Sequence, residues 1–286
     1  MLDVFFITHG EENADENWHN LSKICPRARR LDNIGNLYQT HRACARQSST
    51  ENFFVVDADA WVYETFDFGF DVGDAENKVF IWSSTNPVND LVYGYGGVKL
   101  FPKKPFLENH VWNTDLSTTI GSSVVIMEGV SCETRFNSTP KSAWIGAFRE
   151  CAKLSSLRSL TLRLKKNLSQ LQEDLDKEVE YLQSQDWSKE QKENYLKTQK
   201  IYTNEKYKSL EIYHHWKELQ DSNDRVTAWT RFGWTRKNGN HTVLGARAGM
   251  AYGLSNAHDD HAMNKINDWI WLESRFREYK LANPDD

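Results

Sequence analysis

Hydrophobic residues fall in short runs through the first half of the chain, at residues 4–7, 53–56, 79–82 and 124–127, and at 98–101 around the single polar residue Lys99. Runs that lack polar alternation mark strands covered on both faces, the arrangement of parallel sheets in α/β proteins. A weaker strand signal lies at 28–31. Between the first runs the period changes to three and four. Trp18, Leu21 and Cys25 share one helical face before Pro26 stops it, and Leu37, His41, Cys44, Ala45 and Ser48 share another. Residues 1–152 therefore read as an α/β core, a mostly parallel sheet flanked by helices.

The pattern then becomes helical. Leu157, Leu160, Leu164, Leu168, Leu171, Leu175, Val179 and Leu182 step by three or four, with Lys, Gln, Glu and Asp between them. A break at Asp186-Trp187-Ser188 looks like a helix start, and a second helix is expected to about Leu219. Residues 153–224 thus read as an inserted helical hairpin. Its apolar seam serves either self-packing or a homodimer or partner contact, and both readings stay open. Residues 225–286 return to mixed sequence that completes the core. They carry Trp229, Phe232, Trp234, a glycine-rich stretch at 245–249, and a closing helix with Ile266, Trp269, Ile270, Leu272 and Phe276.

Composition narrows the function classes. The 286 residues carry a formal net charge of −5, so any polyanion must be met by local patches. Such patches exist at Lys23, Arg27, Arg29 and Arg30; at Lys99, Lys103 and Lys104; at Arg158, Arg163, Lys165 and Lys166; and at Arg231, Arg236 and Lys237. The cysteines, at 25, 44, 132 and 151, have no Cys-x-x-Cys spacing, which argues against structural zinc and for free thiols in a reducing compartment. A strand signal so close to Met1 leaves no room for a signal peptide, and no apolar run reaches membrane-spanning length. A cytoplasmic protein without membrane contact is expected. Neither the dinucleotide fingerprint nor a Walker A sequence occurs, which speaks against redox cofactors and ATPases.

The richest chemistry lies at 53–61, Phe-Phe-Val-Val-Asp-Ala-Asp-Ala-Trp. A buried strand here ends in Asp57 and Asp59, at the carboxyl edge where open α/β sheets bind ligands. Two hard oxygen ligands suit Mg²⁺ or Mn²⁺ bridging to a phosphate, and His241 is a third candidate ligand. The first strand runs into Thr8-His9-Gly10-Glu11, where glycine admits a ligand to the backbone. Asp32 after the second strand serves a ribose or base edge, or merely caps a turn. The glycines among aromatics at 93–97 make either a floor for a sugar or a bulged hairpin. Trp112, Asp115, Thr118 and Thr119 suit a carbohydrate, with Asp115 a candidate base. Arg149 and Glu150 form a surface pair, or else clamp a phosphate and act on the acceptor. Arg247 with the 245–249 glycines offers a second diphosphate grip. His258-Asp-Asp-His261 has metal-like types, but a helix cap at Asp259 or Asp260 is favoured.

Together these features resemble the GT-A class of nucleotide-sugar glycosyltransferases. In that class the first Asp of the motif commonly contacts ribose or donor sugar and the second binds the divalent metal, roles that would fall on Asp57 and Asp59. More closely, Ala58-Asp59, Asn86-Pro87-Val88-Asn89, the stretch from Tyr93 to Pro102 and Ala147-Phe148-Arg149-Glu150-Cys151 look like a family of glycosyltransferase-like proteins in large tailed phages. Some relatives in T-even-type phages glycosylate 5-hydroxymethylcytosine in DNA, including with arabinose. The resemblance covers residues 1–155 and 225–280. It implies a GT-A-like fold, Mn²⁺ or Mg²⁺, a UDP-sugar donor, DNA as the favoured acceptor, and the host cytoplasm. A glycan or protein acceptor, and a non-catalytic nucleotide-sugar-binding module, remain as alternatives.

Overall fold

The computed structural model describes residues 1–284 apart from 33, 74–76, 109–115, 122 and 185. Seven strands, β1 (Asp3–Thr8), β2 (Arg29–Asp32), β3 (Asn52–Asp57), β4 (Ala60–Val62), β5 (Lys78–Thr85), β6 (Val92–Pro102) and β7 (Ser123–Thr134), form one sheet. Their order is β2-β1-β3-β6-β5-β7-β4. The unbroken apolar runs feed cores on both faces. Val4 and Phe6 of β1 with Phe54 and Val56 of β3 enter one core, while Phe5 and Ile7 with Phe53 and Val55 enter the other. All eight side chains are 3% exposed or less.

The sheet is mixed rather than mostly parallel. The β1/β2, β1/β3 and β5/β7 pairs are parallel, but β3/β6, β5/β6 and β4/β7 are antiparallel. The reason is local. β5 and β6 are joined by a short turn in which Asn86 Oδ1 accepts from the amides of Val88 and Asn89, and Asp90 takes φ +57°. So short a connection can make only a hairpin, because a parallel return needs a long crossover. The glycines at 94, 96 and 97 lie inside β6, and its register against β5 shifts between Trp82 and Ser84. The bulged-hairpin reading of this stretch is the one observed.

Helices α1 (Ala14–Ile24) and α2 (Leu37–Gln47) follow β1 and β2 as the periodicity predicts, with Asn36 and Gln39 forming a capping box on α2. Two short helices, α3 (Lys104–Leu107) and α4 (Leu116–Thr119), lead to β7. Helix α5 (Pro140–Ser155) starts at a Thr139/Ser142 capping box. The hairpin is α6 (Arg158–Gln183) and α7 (Lys189–Arg231), with Ser188 capping the second arm. Helix α7 runs past the expected Leu219 because its final turns carry core residues, Trp229 among them. On α6, Leu182 is buried and Leu171, Leu175 and Val179 are half-buried, while the side chains of Leu160, Leu164 and Leu168 lie outside the described residues.

Helix α8 (Gly239–Ser255) packs along α5. A Cβ at Gly245, Gly249 or Gly253 would sit 2.3, 2.1 or 2.4 Å from the carbonyl oxygens of Trp144, Phe148 and Ala152. These glycines therefore let two backbones touch. The closing segment breaks into α9 (Asp260–Asn264), a turn of 3₁₀ helix at Lys265–Asn267, and α10 (Trp269–Ala282), where one helix was expected. Asp268 stops the continuous helix by capping the next, accepting from the amides of Ile270 and Trp271. Asp259 caps α9 through the Ala262 amide, as favoured over metal binding. The four cysteines are buried and unpaired. Among the described residues no helix is long and apolar enough to cross a membrane.

Candidate active site

β1 and β3 are parallel neighbours, with Ile7 in register with Asp57, so Thr8-His9-Gly10 and Asp57-Ala58-Asp59 leave the sheet side by side. The first loop folds on its own polar groups. Thr8 Oγ1 and the His9 amide both donate to Glu11 Oε2 at 2.8 Å, and the Gly10 amide donates to Thr8 Oγ1 at 3.0 Å. Gly10 takes φ +95°, a conformation glycine adopts without steric cost. The second loop is clamped from two sides. Asn17, fully buried on α1, donates from Nδ2 to the Ala58 carbonyl at 2.7 Å, and the Arg135 amide donates to the Asp59 carbonyl at 2.6 Å. Asn13 Nδ2 in turn donates to the Arg135 carbonyl at 2.8 Å. The turn bearing the two carboxylates is thus fixed by backbone contacts, leaving its side chains for other work.

Charges of both signs converge there. Lys99, 13% exposed on β6, donates from Nζ to Asp57 Oδ2 at 2.7 Å. Its stem crosses Gly96, which has φ +74° and where a Cβ would lie 2.4 Å from Lys99 Cε. Asp59 is pushed up to about 7, first by burial and then by the negative charges of Asp57 and Glu11, with Lys99 and Arg149 pulling the other way. Burial lowers the Arg149 guanidinium from its ordinary range, against the opposing pull of Glu150, Asp59 and Asp57. Arg149 is anchored by Nε donating to the Ile266 carbonyl at 2.8 Å and a terminal nitrogen donating to Asn267 Oδ1 at 3.3 Å. Its guanidinium lies 5.2 Å from the Trp269 ring centre.

Glu150 sits beside this cluster and remains ionised. Burial alone would raise it, but Lys153 at 2.9 Å and the Tyr93 hydroxyl, donating at 2.9 Å, hold it below the usual range. Tyr93 Oη itself accepts from Trp229 Nε1 at 3.2 Å. His41 is held neutral, down to about 4, by burial and then by Lys99, and its Nδ1 bonds the Leu37 carbonyl at 2.8 Å. His9 Nε2 is buried with no hydrogen-bond partner among the described residues.

Of the residues singled out from sequence, Thr8, His9, Gly10, Asp57, Asp59 and Arg149 meet at this edge, and Glu150 adjoins it. Arg149 and Glu150 form no surface pair, since each is held by other groups. Asp32 ends β2 in register with Thr8, and its carboxylate receives Arg30 at 2.7 Å. Asp115 and Trp112 lie outside the described residues, as do the side chains of Thr118 and Thr119.

Other expectations are corrected. The glycines at 245 and 249 are inside α8, where their amides serve the helix and their open faces meet α5, so they make no diphosphate cradle. Arg247 instead lines a groove of about 500 Å³ between α7 and α8 with Thr227, Thr230 and Arg231. It donates from Nε to the Thr230 carbonyl at 3.1 Å and lies 5.3 Å from the Trp234 ring centre. His241, 8% exposed in the first turn of α8, faces Asn240 Oδ1 at 2.9 Å. Among the described residues no three His, Cys, Asp or Glu side chains are grouped to hold a metal, so His241 does not complete a triad with the two aspartates. Trp229 is core at 1% exposure, so its indole offers no face to a ligand. Lys99 belongs to the site and not to a surface patch.

Sequence reasoning passed over Glu11, Asn17 and Tyr93 as site residues. Asn17 carried a faint signal, since it falls on the inward face of α1 with Leu21.

Asp57 and Asp59 fit a divalent ion of the Mg²⁺ type, which keeps several waters and takes one or two protein carboxylates. Asp59 is raised first by burial and then by the charges of Asp57 and Glu11, and such an ion would supply the counter-charge for its ionised form. The two aspartates do not form an all-protein cage. No protein-family model, curated protein or solved structure matches the chain.

Proposed function

We propose that the chain is a GT-A-like, metal-assisted glycosyltransferase that moves a sugar from a UDP-sugar to a hydroxyl acceptor. The observation that carries the reading is the pairing of two carboxylates with two cations, Asp57 and Asp59 with Lys99 and Arg149, at the carboxyl edge beside a glycine-opened loop. A nucleotide diphosphate with its divalent ion brings complementary charge of both signs. In the transfer the acceptor oxygen bonds the anomeric carbon as the bond to the diphosphate oxygen breaks. UDP leaves with the bonding pair, and the acceptor proton passes to a carboxylate or water. Asp57 and Asp59 would hold the Mn²⁺ or Mg²⁺ ion, which when bound neutralises charge on the departing diphosphate. Arg149, fixed by Ile266 and Asn267, offers a second, preorganised positive charge to the same group. Glu150, ionised and oriented by Tyr93, accepts hydroxyl hydrogen bonds from the sugar or acceptor.

The favoured acceptor is 5-hydroxymethylcytosine in DNA. Support comes from residues 225–257, which hold five cations, Arg225, Arg231, Arg236, Lys237 and Arg247, and no Asp or Glu in a chain of net charge −5. Within them the run 231–237 exposes Phe232 at 58% and Trp234 at 44% among basic residues, the combination that holds single-stranded or flipped-out bases. Gly233 keeps this run in place, with φ +93° and a Cβ position 2.4 Å from the Val88 carbonyl. The test is UDP release from a panel of UDP-sugars with Mn²⁺, with and without hydroxymethylated DNA, followed by mass spectrometry of the DNA. UDP release without a mass increase on DNA moves the acceptor to a glycan or protein. No release from any donor overturns the enzyme reading.

A further inference from the structure

We propose that Lys99 is a resident counter-cation that makes divalent-ion binding at Asp57 and Asp59 conditional on a nucleotide diphosphate. The inference rests on the donor-site reading above. Lys99 already occupies Asp57 Oδ2 at 2.7 Å. An ion arriving at the free protein therefore competes with an ammonium for one of its two carboxylates. Lys99 does not drift away into solvent, since it is only 13% exposed and its strand neighbours Val98 and Leu100 are fully buried. The bend at Gly96 gives its stem a path along the strand that any other residue there would obstruct.

The other positive groups around the pair cannot take its place. His41 is neutral, and Arg149 is tied to Ile266 and Asn267. Of the two cations, then, one is fixed and one is a flexible point charge. A diphosphate entering beside Thr8-His9-Gly10 supplies the competing anion that draws the ammonium off Asp57. Asp57 is then free for the ion. Ion and diphosphate should accordingly bind with positive coupling, and linkage requires the effect to be reciprocal.

The experiment is calorimetric titration of the full chain with Mn²⁺, with and without UDP, for wild type, Lys99→Met and Asp57→Asn. In the wild type UDP should tighten Mn²⁺ by about 5- to 150-fold, and Mn²⁺ should tighten UDP by the same factor. Lys99→Met should bind Mn²⁺ without UDP about tenfold or more tighter than wild type, with the UDP effect much reduced. Asp57→Asn, which removes the anchor of Lys99, should leave UDP-free Mn²⁺ affinity nearly unchanged and abolish the coupling. This variant carries the test if the methionine protein fails to fold. The proposal is overturned if Lys99→Met binds Mn²⁺ no tighter than wild type, or if Asp57→Asn loses most of the UDP-free Mn²⁺ affinity. Failure of wild type to bind UDP at all defeats the donor-site reading separately, because the UDP-free comparison of the two proteins still reports on Lys99.

Discussion

Replacing Asp59 by Asn should make the protein more stable at neutral and alkaline pH while removing donor turnover. The folded protein pushes this carboxyl from 3.8 up to about 7, through burial first and the charges of Asp57 and Glu11 next. An acid whose pKa is raised on folding keeps a proton that the unfolded chain has already released. Stability must therefore fall as pH rises from about 4 to about 7 and level off above that. At 1.36 kcal/mol per unit the full shift corresponds to about 4 kcal/mol, and screening at a half-buried side chain reduces this to about 2 kcal/mol. Asn cannot ionise, so the variant escapes the cost. Urea denaturation from pH 4 to pH 8 should give Asp59→Asn an advantage of about 2 kcal/mol at pH 8 that closes towards pH 4. Mn²⁺ with UDP should reverse the ranking, since ligand at 100 times its Kd stabilises the wild type by about 2.7 kcal/mol and the variant little. An advantage that is constant across pH, or a wild type that is the more stable at pH 8 without ligand, refutes the electrostatic account of this site.

Gly249→Ala sets helix propensity, which favours Ala by about 1 kcal/mol, against a Cβ placed 2.1 Å from the Phe148 carbonyl. A backbone neighbour cannot give way cheaply, so net destabilisation of about 1–3 kcal/mol is expected in thermal or urea unfolding. Gly146→Ala, whose Cβ would have Phe136 side-chain atoms as its nearest neighbours from 3.0 Å, should cost less, and the reverse order would contradict the packing of α8 on α5. Tyr93→Phe removes the hydroxyl that donates to Glu150 and accepts from Trp229; a loss of about 1 kcal/mol is expected, read as a shift in the urea midpoint. Neutralising Arg231 and Lys237 together should weaken binding to hydroxymethylated DNA and flatten its log–log salt dependence by about one unit for each phosphate that is no longer neutralised. UDP release in the absence of DNA should be unchanged in that double variant, and unchanged DNA affinity at every salt concentration would remove this loop as the DNA track.

Much of the frame was legible because it follows from local rules. Both helices after β1 and β2, the helix start at Ser188 and the cap at Asp259 stand where periodicity and capping residues put them. The unbroken runs do mark strands buried on both faces. What the runs do not encode is direction. Val98 and Leu100 look the same in a parallel or an antiparallel strand, and only the short Asn86–Asp90 turn decides that β6 returns against β5. Glycines misled for a related reason. At 245 and 249 they signal a close approach of something, and spacing alone does not distinguish a phosphate from a helix backbone.

The site itself was half legible, and Lys99 explains the missing half. Asp57 and Asp59 can be found from one strand, but their counter-charge comes from β6, and its place depends on register. Val55 pairs with Lys99, so Asp57, two residues beyond Val55, presents its carboxylate on the same face. Grouped by sequence with Lys103 and Lys104, Lys99 looks like part of a solvated basic patch. A different comparison gives the better signal: a lone lysine between Val98 and Leu100 breaks the pattern of a strand buried on both faces. Burying an ammonium is costly unless a carboxylate waits for it. A charge that violates its strand's pattern therefore points to a partner of opposite sign at the same depth. In this chain the partner is Asp57, so the misfit on β6 and the Asp-Ala-Asp motif after β3 are two halves of one electrostatic unit.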